Sequence, residues 1–302
     1  MNGILPLYKS TGMTSADAVY HARKLLHIKK IGHSGTLDPN VDGVLPLAIG
    51  AATKAVPQLM ASGKIYTGEI TLGFATTTED LDGEVVKRTP LVKPVPVHEL
   101  DQALTQWTGE ITQVPPMFSA VKVNGRRLYE YARAGESVER PKRQVTVKRF
   151  ERISEPIFDV AQGIQRFRFE VAVSKGTYIR TLAVDVGQSL GVAAVMSQLT
   201  RIKSGGFTLA QSVSLRDLEQ HITDGTIASV IQPIDIVFAE LPKVDLTNDQ
   251  YDDVRHGRFL TLQLDAPRIR LHYAGVLKAI YRLEKHQYRP DIMFLANEKN
   301  AR

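Results

Sequence analysis

Cysteine is absent from the 302 residues of the chain. Without a thiol the chain has no disulfide, no cysteine nucleophile and no cysteine-based metal site. Long apolar runs are missing too, so no membrane-spanning helix is expected. The opening residues, MNGILPLYKS, lack the basic region and apolar core of a secretory signal. Together these absences favour a cytoplasmic protein.

The common cofactor signatures are also missing. Neither G-x-G-x-x-G nor G-x-x-x-x-G-K-[ST] occurs, so dinucleotide and P-loop binding have no support. H-E-x-x-H is absent, and the eight histidines show no metal-ligand spacing. The stretch GHSGT does not match the G-x-S-x-G elbow of hydrolases. We therefore expect neither a metal nor an organic cofactor, and carboxylates are the best candidates for any chemistry.

Positive charge is concentrated in one segment. Between Lys122 and Arg152 there are ten Lys or Arg residues and four acidic residues, so this segment carries the whole formal net charge of +6. Clustered positive charge is typical of a surface that binds a polyanion such as nucleic acid. A solvated basic face without a partner would look the same, and charge alone leaves both interpretations open.

A rigid turn in GHSGTLDPNVDGVLP, residues 32–46, contains the most informative carboxylate, Asp38. Pro39 restricts the backbone of Asp38 to extended geometry, and Gly32, Gly35 and Gly43 permit sharp bends. Taken alone, Asp38 is best explained as an ordinary Asx-Pro turn residue. The alternative is that the turn exists to present Asp38 as a catalytic carboxylate.

Two other stretches favour the catalytic interpretation. Tyr66 falls on the apolar face of a predicted strand, KIYTGEITLGFAT, near its beginning. SKGTYIRT places Tyr178 and Arg180 between a strand end and a helix start, where an arginine can bind a carboxylate or phosphate. Singly, these are a core tyrosine and an arginine on an exposed helical turn. Together with Asp38 and the basic segment, they suggest a site that acts on a nucleotide of an RNA.

Local patterns predict several elements of secondary structure. TSADAVYHARKLLHIKK predicts a helix that is capped by Thr14 and Asp17 and stopped by Gly32. Asn124-Gly125 predicts a tight turn. The stretch TTTEDLDGEVV, residues 76–86, predicts a polar acidic loop. The composition changes near residue 240, and the strand-like runs that follow predict a small β-rich domain.

The sequence resembles the TruB family, the tRNA pseudouridine-55 synthases. Four stretches carry the resemblance: GHSGTLDPNVDGVLP, YTGEITLG, PPMFSAVKVNGRRLYEYARAG and SKGTYIRTLAVDVG. It covers about residues 3–240. Three positions depart from the family pattern, namely Ser10 for proline, Val41 for alanine and Thr200 for a second arginine.

This resemblance implies an α+β pseudouridine-synthase fold with a mixed, largely antiparallel central sheet. It implies a catalytic domain over residues 1–239 with an RNA-gripping thumb insertion at about 115–145. Residues 240–302 would form a small PUA-like RNA-binding domain, which the tail resembles only loosely.

The resemblance also implies an activity and a set of site residues. A monomer without cofactor would isomerise uridine 55, in the T-arm of tRNA, to pseudouridine. Asp38 would be the nucleophile, Tyr66 would stack on the flipped base, and Arg180 would keep Asp38 ionised. The implied substrate-binding residues are His33, Tyr178, Leu199, Lys9, Arg126, Arg127, Arg140 and Arg143.

Two rival functions use the same residues. The first is an RNA-binding module without catalysis, in which Asp38 is only a turn residue. The second is a glycosidase or nucleoside hydrolase with paired carboxylates, Asp38 acting with Asp42 or Asp82.

Overall fold

A computed structural model describes residues 1–295 of the chain. The α-helices of this part are α1 (Ser15–Leu26), α2 (Val56–Ala61), α3 (Val97–Gln106), α4 (Leu128–Ala134), α5 (Ile179–Ser189), α6 (Leu215–Thr223) and α7 (Asn248–Arg255). Its strands are β1 (Gly3–Lys9), β2 (Ile31–His33), β3 (Asp42–Ile49), β4 (Lys64–Leu72), β5 (Phe74–Thr76), β6 (Val85–Arg88), β7 (Gly109–Gln113), β8 (Lys122–Val123), β9 (Arg126–Arg127), β10 (Arg143–Arg152), β11 (Ile157–Asp159), β12 (Ile164–Val173), β13 (Ala194–Ser204), β14 (Phe207–Thr208), β15 (Lys243–Asp245), β16 (Arg268–Tyr273), β17 (Val276–Glu284) and β18 (Gln287–Met293).

The chain folds into two compact units that do not follow the order of the sequence. The first comprises Met1–Asn40, Val44–Met60 and the described residues from Ser204 onward. The second comprises Val41–Gly43 and Ala61–Lys203. The boundary expected at residue 240 therefore stays a prediction.

The second unit is built on strands in the order β13-β4-β12-β10-β7. The pairs β4/β12, β12/β10 and β10/β7 are antiparallel, whereas the first residues of β3 pair in parallel with β13, Asp42 opposite Thr200. This arrangement confirms a mixed, largely antiparallel sheet. Alternation in β12 buries Phe167, Phe169 and Val171 on one face, as the period of two predicts.

The first unit contains α1, whose start was predicted correctly and whose end was not. Asp17 N donates to Thr14 Oγ1 and Thr14 N donates to Asp17 Oδ2, which confirms the capping box. The helix ends at Leu26 because His27 adopts a left-handed conformation with φ 53°. Gly32 lies in β2 and does not stop the helix.

Local turn chemistry was predicted well in one loop and incompletely in another. Asn124 and Gly125 have φ values of 50° and 83° and connect β8 to β9, which confirms the tight turn. The predicted acidic loop TTTEDLDGEVV, residues 76–86, is correct only in its middle part. Its first residue, Thr76, ends β5, and its last two residues begin β6, which pairs with β5.

The end of the described chain is rich in strands, as expected. Strands β15, β16, β17 and β18 form one sheet in that order. Its core includes the buried side chains of Ile269, Tyr281 and Tyr288, with Val254 contributed by α7. A small β-rich C-terminal domain is therefore confirmed.

Gly43, at the beginning of β3, is the glycine whose replacement the structure penalises most clearly. Its φ is +116°, and a Cβ atom there would lie 2.2 Å from the carbonyl oxygen of Arg201. Gly43→Ala should lower the free energy of unfolding by more than about 2 kcal/mol. Gly191→Ala is the control, because its φ is +71° with nothing within 4 Å of the added atom. Denaturant titration of both variants should give the larger loss for Gly43→Ala, and equal losses would contradict the steric explanation.

Candidate active site

Asp38 lies in the loop between β2 and β3, and the backbone on both sides of it is held. Leu37 N donates to Ser15 Oγ at 2.9 Å, and Ser15 Oγ donates to the carbonyl oxygen of Leu37 at 3.2 Å. On the other side, the carbonyl oxygen of Pro39 accepts from Gly12 N at 3.0 Å. Asp38 itself is partly exposed. The loop thus presents a carboxylate on a fixed backbone.

Lys9 gives this loop a further support. It is fully buried, and its Nζ donates to the carbonyl oxygens of Ser10, Met13 and Pro39 at 2.9, 2.8 and 3.1 Å. Three acceptors match the three N–H groups of an ammonium, which makes the burial tolerable. Lys9 therefore has the contacts expected of a structural support.

His33, at the end of β2, is partly exposed. Its Nδ1 accepts a hydrogen bond from Gly35 N at 3.3 Å, which orients the ring relative to the loop. Ser15 and Gly12 were missed from the sequence. The stretch that contains them, KSTGMTS, suggested a helix cap at Thr14 and a support at Lys9, but no contact with the Asp38 loop through Ser15 or Gly12.

Tyr66 and Leu199 lie on strands that approach each other in the second unit. Tyr66 is the third residue of β4, is 7% exposed, and pairs with Val171 of β12. Gly68 is on the same face, and a Cβ atom there would lie 3.0 Å from Leu199 Cδ1. The absent side chain at Gly68 allows β13 to approach the face that carries Tyr66.

Tyr178 is the N-cap of α5, and its backbone is clamped by Gln113. Gln113 Oε1 accepts from Tyr178 N at 2.7 Å, and Gln113 Nε2 donates to the carbonyl oxygen of Tyr178 at 3.0 Å. Gln113 is 2% exposed and ends β7. This clamp was missed from the sequence because nothing near Gln113 predicts a partner 65 residues away.

Arg180 is 5% exposed, so the interpretation as an exposed arginine is wrong. Its Nη1 donates to the carbonyl oxygen of Thr78 at 2.9 Å and its Nη2 to that of Phe118 at 3.0 Å. Its Nε lies 3.7 Å from Asp80 Oδ2. The carboxylate of Asp80 is itself held, because its Oδ1 accepts from Thr78 Oγ1 and from Asp82 N.

The acidic turn between β5 and β6, residues 77–84, thus holds the start of α5, a role that its sequence did not reveal. Thr181 Oγ1 donates to Glu79 Oε2 at 2.7 Å. Burial raises the pKa of Glu79, while the hydrogen bond from Thr181 and the charge of Arg180 lower it. Burial, with the nearby charge of Glu79, raises the pKa of Asp185 to about 7.

Lys64, which begins β4, also has a perturbed pKa. Burial, with the charges of Arg201 and Lys175, lowers the pKa of Lys64 to about 8.

Among residues 1–295, no group of three or more His, Asp or Glu side chains could hold a metal ion. No helix in this part of the chain is long and apolar enough to cross a membrane.

The arginines of the predicted thumb are only partly neutralised. Arg126 forms a salt bridge with Glu136 at 2.8 Å, with both side chains about half exposed. Arg127 Nη1 donates to Tyr129 Oη at 2.8 Å, and Arg140 Nη1 donates to the carbonyl oxygen of Pro115 at 3.0 Å. Arg143 begins β10 and is exposed. The segment keeps more positive than negative charge on its surface.

The raised pKa of Asp185 predicts how stability depends on pH. The unfolded chain releases this proton near pH 4 and the folded chain near pH 7, so stability falls as the pH rises between those values. Asp185→Asn should flatten this dependence and raise the free energy of unfolding at pH 8 by about 1–3 kcal/mol, reduced from the full shift because the side chain is partly solvated. Denaturant titrations across this pH range test it, with the exposed Asp265→Asn as control. A pH dependence unchanged from that of the wild type would contradict the assignment.

Comparison with known proteins gives consistent matches over the whole chain. Residues 23–179 match the model of the TruB family pseudouridylate synthase N-terminal domain, and residues 180–239 match that of the tRNA pseudouridylate synthase B C-terminal domain. The curated protein named tRNA pseudouridine synthase B from Lacticaseibacillus paracasei is 77% identical over 301 residues and covers 100% of both chains.

Chains of solved structures are also similar to this chain. A chain of a Cbf5–Nop10–Gar1 complex is 28% identical, with a TM-score of 0.72, over 98% of this chain and 86% of that one. A chain of an H/ACA ribonucleoprotein bound to a substrate RNA containing 2′-deoxyuridine is 26% identical, with a TM-score of 0.71 and the same coverage. With more than half of the chain matched by one family model and a relative of such high identity, the chain belongs to the TruB family of pseudouridylate synthases.

Proposed function

We propose that this protein converts uridine 55, in the T-loop of tRNA, to pseudouridine, with Asp38 as the nucleophile. Membership of a pseudouridylate synthase family supports the reaction, and the tRNA pseudouridine synthases B among its relatives support the substrate. The observation that carries the proposal is the Asp38 loop. Its backbone is bonded immediately before and after a partly exposed carboxylate, at Leu37 and Pro39.

In this reaction the bond between uracil N1 and the ribose breaks, the base turns, and its C5 bonds to the ribose C1′. C5 then loses a proton and N1 gains one, so no atom enters or leaves the RNA. An ionised Asp38 attacks the bound nucleotide, which must first be extruded from the tRNA loop. A fixed loop favours this step because the carboxylate need not be reorganised when the nucleotide arrives.

The family resemblance implies a role for each of the other site residues. Tyr66 stacks against the extruded uracil, and Leu199 forms part of the wall beside its strand. Arg180 supplies the positive charge that keeps Asp38 ionised, and its buried hydrogen bonds hold that charge in one orientation. Tyr178 packs against the reacting base, and His33 helps to hold it outside the loop.

The thumb supplies the grip on RNA. Arg126, Arg127, Arg140 and Arg143 contact phosphates of the T-arm, which fixes the position of the tRNA but does not read its sequence. Because one chain supplies all of these residues, we propose that a monomer is active.

Replacement of the nucleophile tests the reaction. Asp38→Asn should bind unmodified tRNA with the affinity of the wild type and form no pseudouridine, because an amide is not a nucleophile of comparable strength. Mass spectrometry of nuclease digests after cyanoethylation measures the product, and the position of the modified nucleotide tests the choice of uridine 55. Pseudouridine formation at the wild-type rate by Asp38→Asn would refute the assignment.

A measurement of free uracil in the same reaction distinguishes an isomerase from the rival hydrolase. A hydrolase with paired carboxylates would release free uracil and would lose activity in Asp82→Asn or Asp42→Asn. An isomerase releases no base. Free uracil in proportion to the uridine consumed would therefore replace our proposal with the hydrolase.

Removal of the thumb charges tests the RNA grip. Changing the four thumb arginines to glutamine should weaken tRNA binding at least tenfold and lower the salt slope of log K by roughly 1 for each phosphate that the variant no longer binds. The matched control removes four exposed charges elsewhere in the same unit, at Lys87, Arg88, Arg166 and Arg168. Equal slopes for the two variants would mean that binding follows net charge and not the thumb.

A further inference from the structure

Three consecutive residues of the acidic turn hold two consecutive residues of α5. Thr78 and Asp80 engage Arg180, the first through its carbonyl oxygen and the second through its carboxylate. Glu79, between them, engages the next residue, accepting from Thr181 Oγ1 at 2.7 Å. Thr181 is 8% exposed, so this hydrogen bond is shielded from water.

Glu79 has an unusual backbone conformation. Its φ is +65°, in the left-handed region that residues with a Cβ atom rarely adopt. Its carbonyl oxygen accepts from Met196 N at 3.1 Å, which attaches the turn to β13. Such a conformation persists where surrounding contacts hold it, and it occurs often at functional sites.

Thr181 follows Arg180 directly on α5, so the hydrogen bond from Thr181 to Glu79 also affects the orientation of Arg180. Successive residues of a helix are separated by about 100° around its axis. Arg180 and Thr181 are therefore attached to the same turn from two directions. Both attachments together oppose rotation of the first turn of α5 about its axis and displacement of the Cα of Arg180.

We propose that Glu79 is a positioning residue for Arg180, acting through the hydroxyl of Thr181. The proposal rests on the proposed function, in which Arg180 belongs to the catalytic centre. A catalytic group displaced by about 1 Å can lose a hundredfold in rate while the substrate still binds. Loss of the anchor should therefore affect the chemical step more than tRNA affinity.

Substitutions at Thr181 separate the hydroxyl from the shape of the side chain. Thr181→Val removes the donor and keeps the volume, and it should lower the single-turnover rate at saturating tRNA about ten- to a hundredfold. Thr181→Ser keeps the donor and should retain the rate within about threefold. The dissociation constant for tRNA should change by less than about twofold in both variants. A wild-type rate in Thr181→Val, or a serine variant no better than the valine variant, would overturn the proposal.

A double-mutant cycle tests whether the two residues act as one unit. Glu79→Ala should lower the rate about as much as Thr181→Val, and the double variant should lose little more than either. Glu84→Ala, an exposed glutamate in the same loop, is the control and should keep the wild-type rate. Losses that multiply in the double variant would show independent effects and would contradict positioning through Thr181.

Two further measurements keep the outcomes distinct. Thermal melting of each variant identifies a general loss of folding, and rates are compared at a temperature at which all variants are folded. Asp38→Asn is assayed in parallel. If it is inactive while Thr181→Val has the wild-type rate, only the positioning role fails; if it is active, the proposed function fails.

Discussion

A positive charge removed from water must be surrounded by acceptors, and the buried Arg180 draws such acceptors from two separate segments of the second unit. Its guanidinium is met by carbonyl oxygens of Thr78 and Phe118 and by the carboxylate of Asp80. These partners come from chain segments far apart in sequence, the acidic turn and the segment between β7 and β8. Each must adopt one conformation to supply its oxygen, so the arginine acts as a template for the segments around it.

The first unit also contains a buried cation that binds backbone carbonyl oxygens, Lys9 beside the Asp38 loop. The ammonium of Lys9, fully buried, gathers three carbonyl oxygens, one of which belongs to Pro39. In each unit a long basic side chain, Lys9 or Arg180, is buried and binds backbone carbonyl oxygens. Such sites are stable only when every donor is matched, which leaves little freedom for the loops involved.

The sequence predicted what depends on local chemistry. The capping box at Thr14, the turn at Asn124-Gly125 and the alternation of β12 all follow from neighbours in the chain. The end of α1 was predicted wrongly, because a histidine rather than a glycine adopts the left-handed conformation there. The roles of Gln113 and Glu79 depend on partners 65 and 102 residues away, and no local pattern encodes such pairings. The candidate site residues and Lys9 were thus found by their motifs, whereas Gln113 and Ser15, which hold the backbone at Tyr178 and Leu37, required the structure.

The clamp between Gln113 and Tyr178 fixes the backbone of Tyr178 and leaves its side chain unbound. Both hydrogen bonds reach the peptide groups of Tyr178 and neither reaches its ring. The ring of Tyr178 therefore takes no part in the clamp, and only its backbone is held at the beginning of α5. The amide of Gln113 must donate and accept at once, and a glutamate of the same shape could do only one of these. The position of the Tyr178 backbone thus depends on one buried side chain of β7, and that side chain must be an amide.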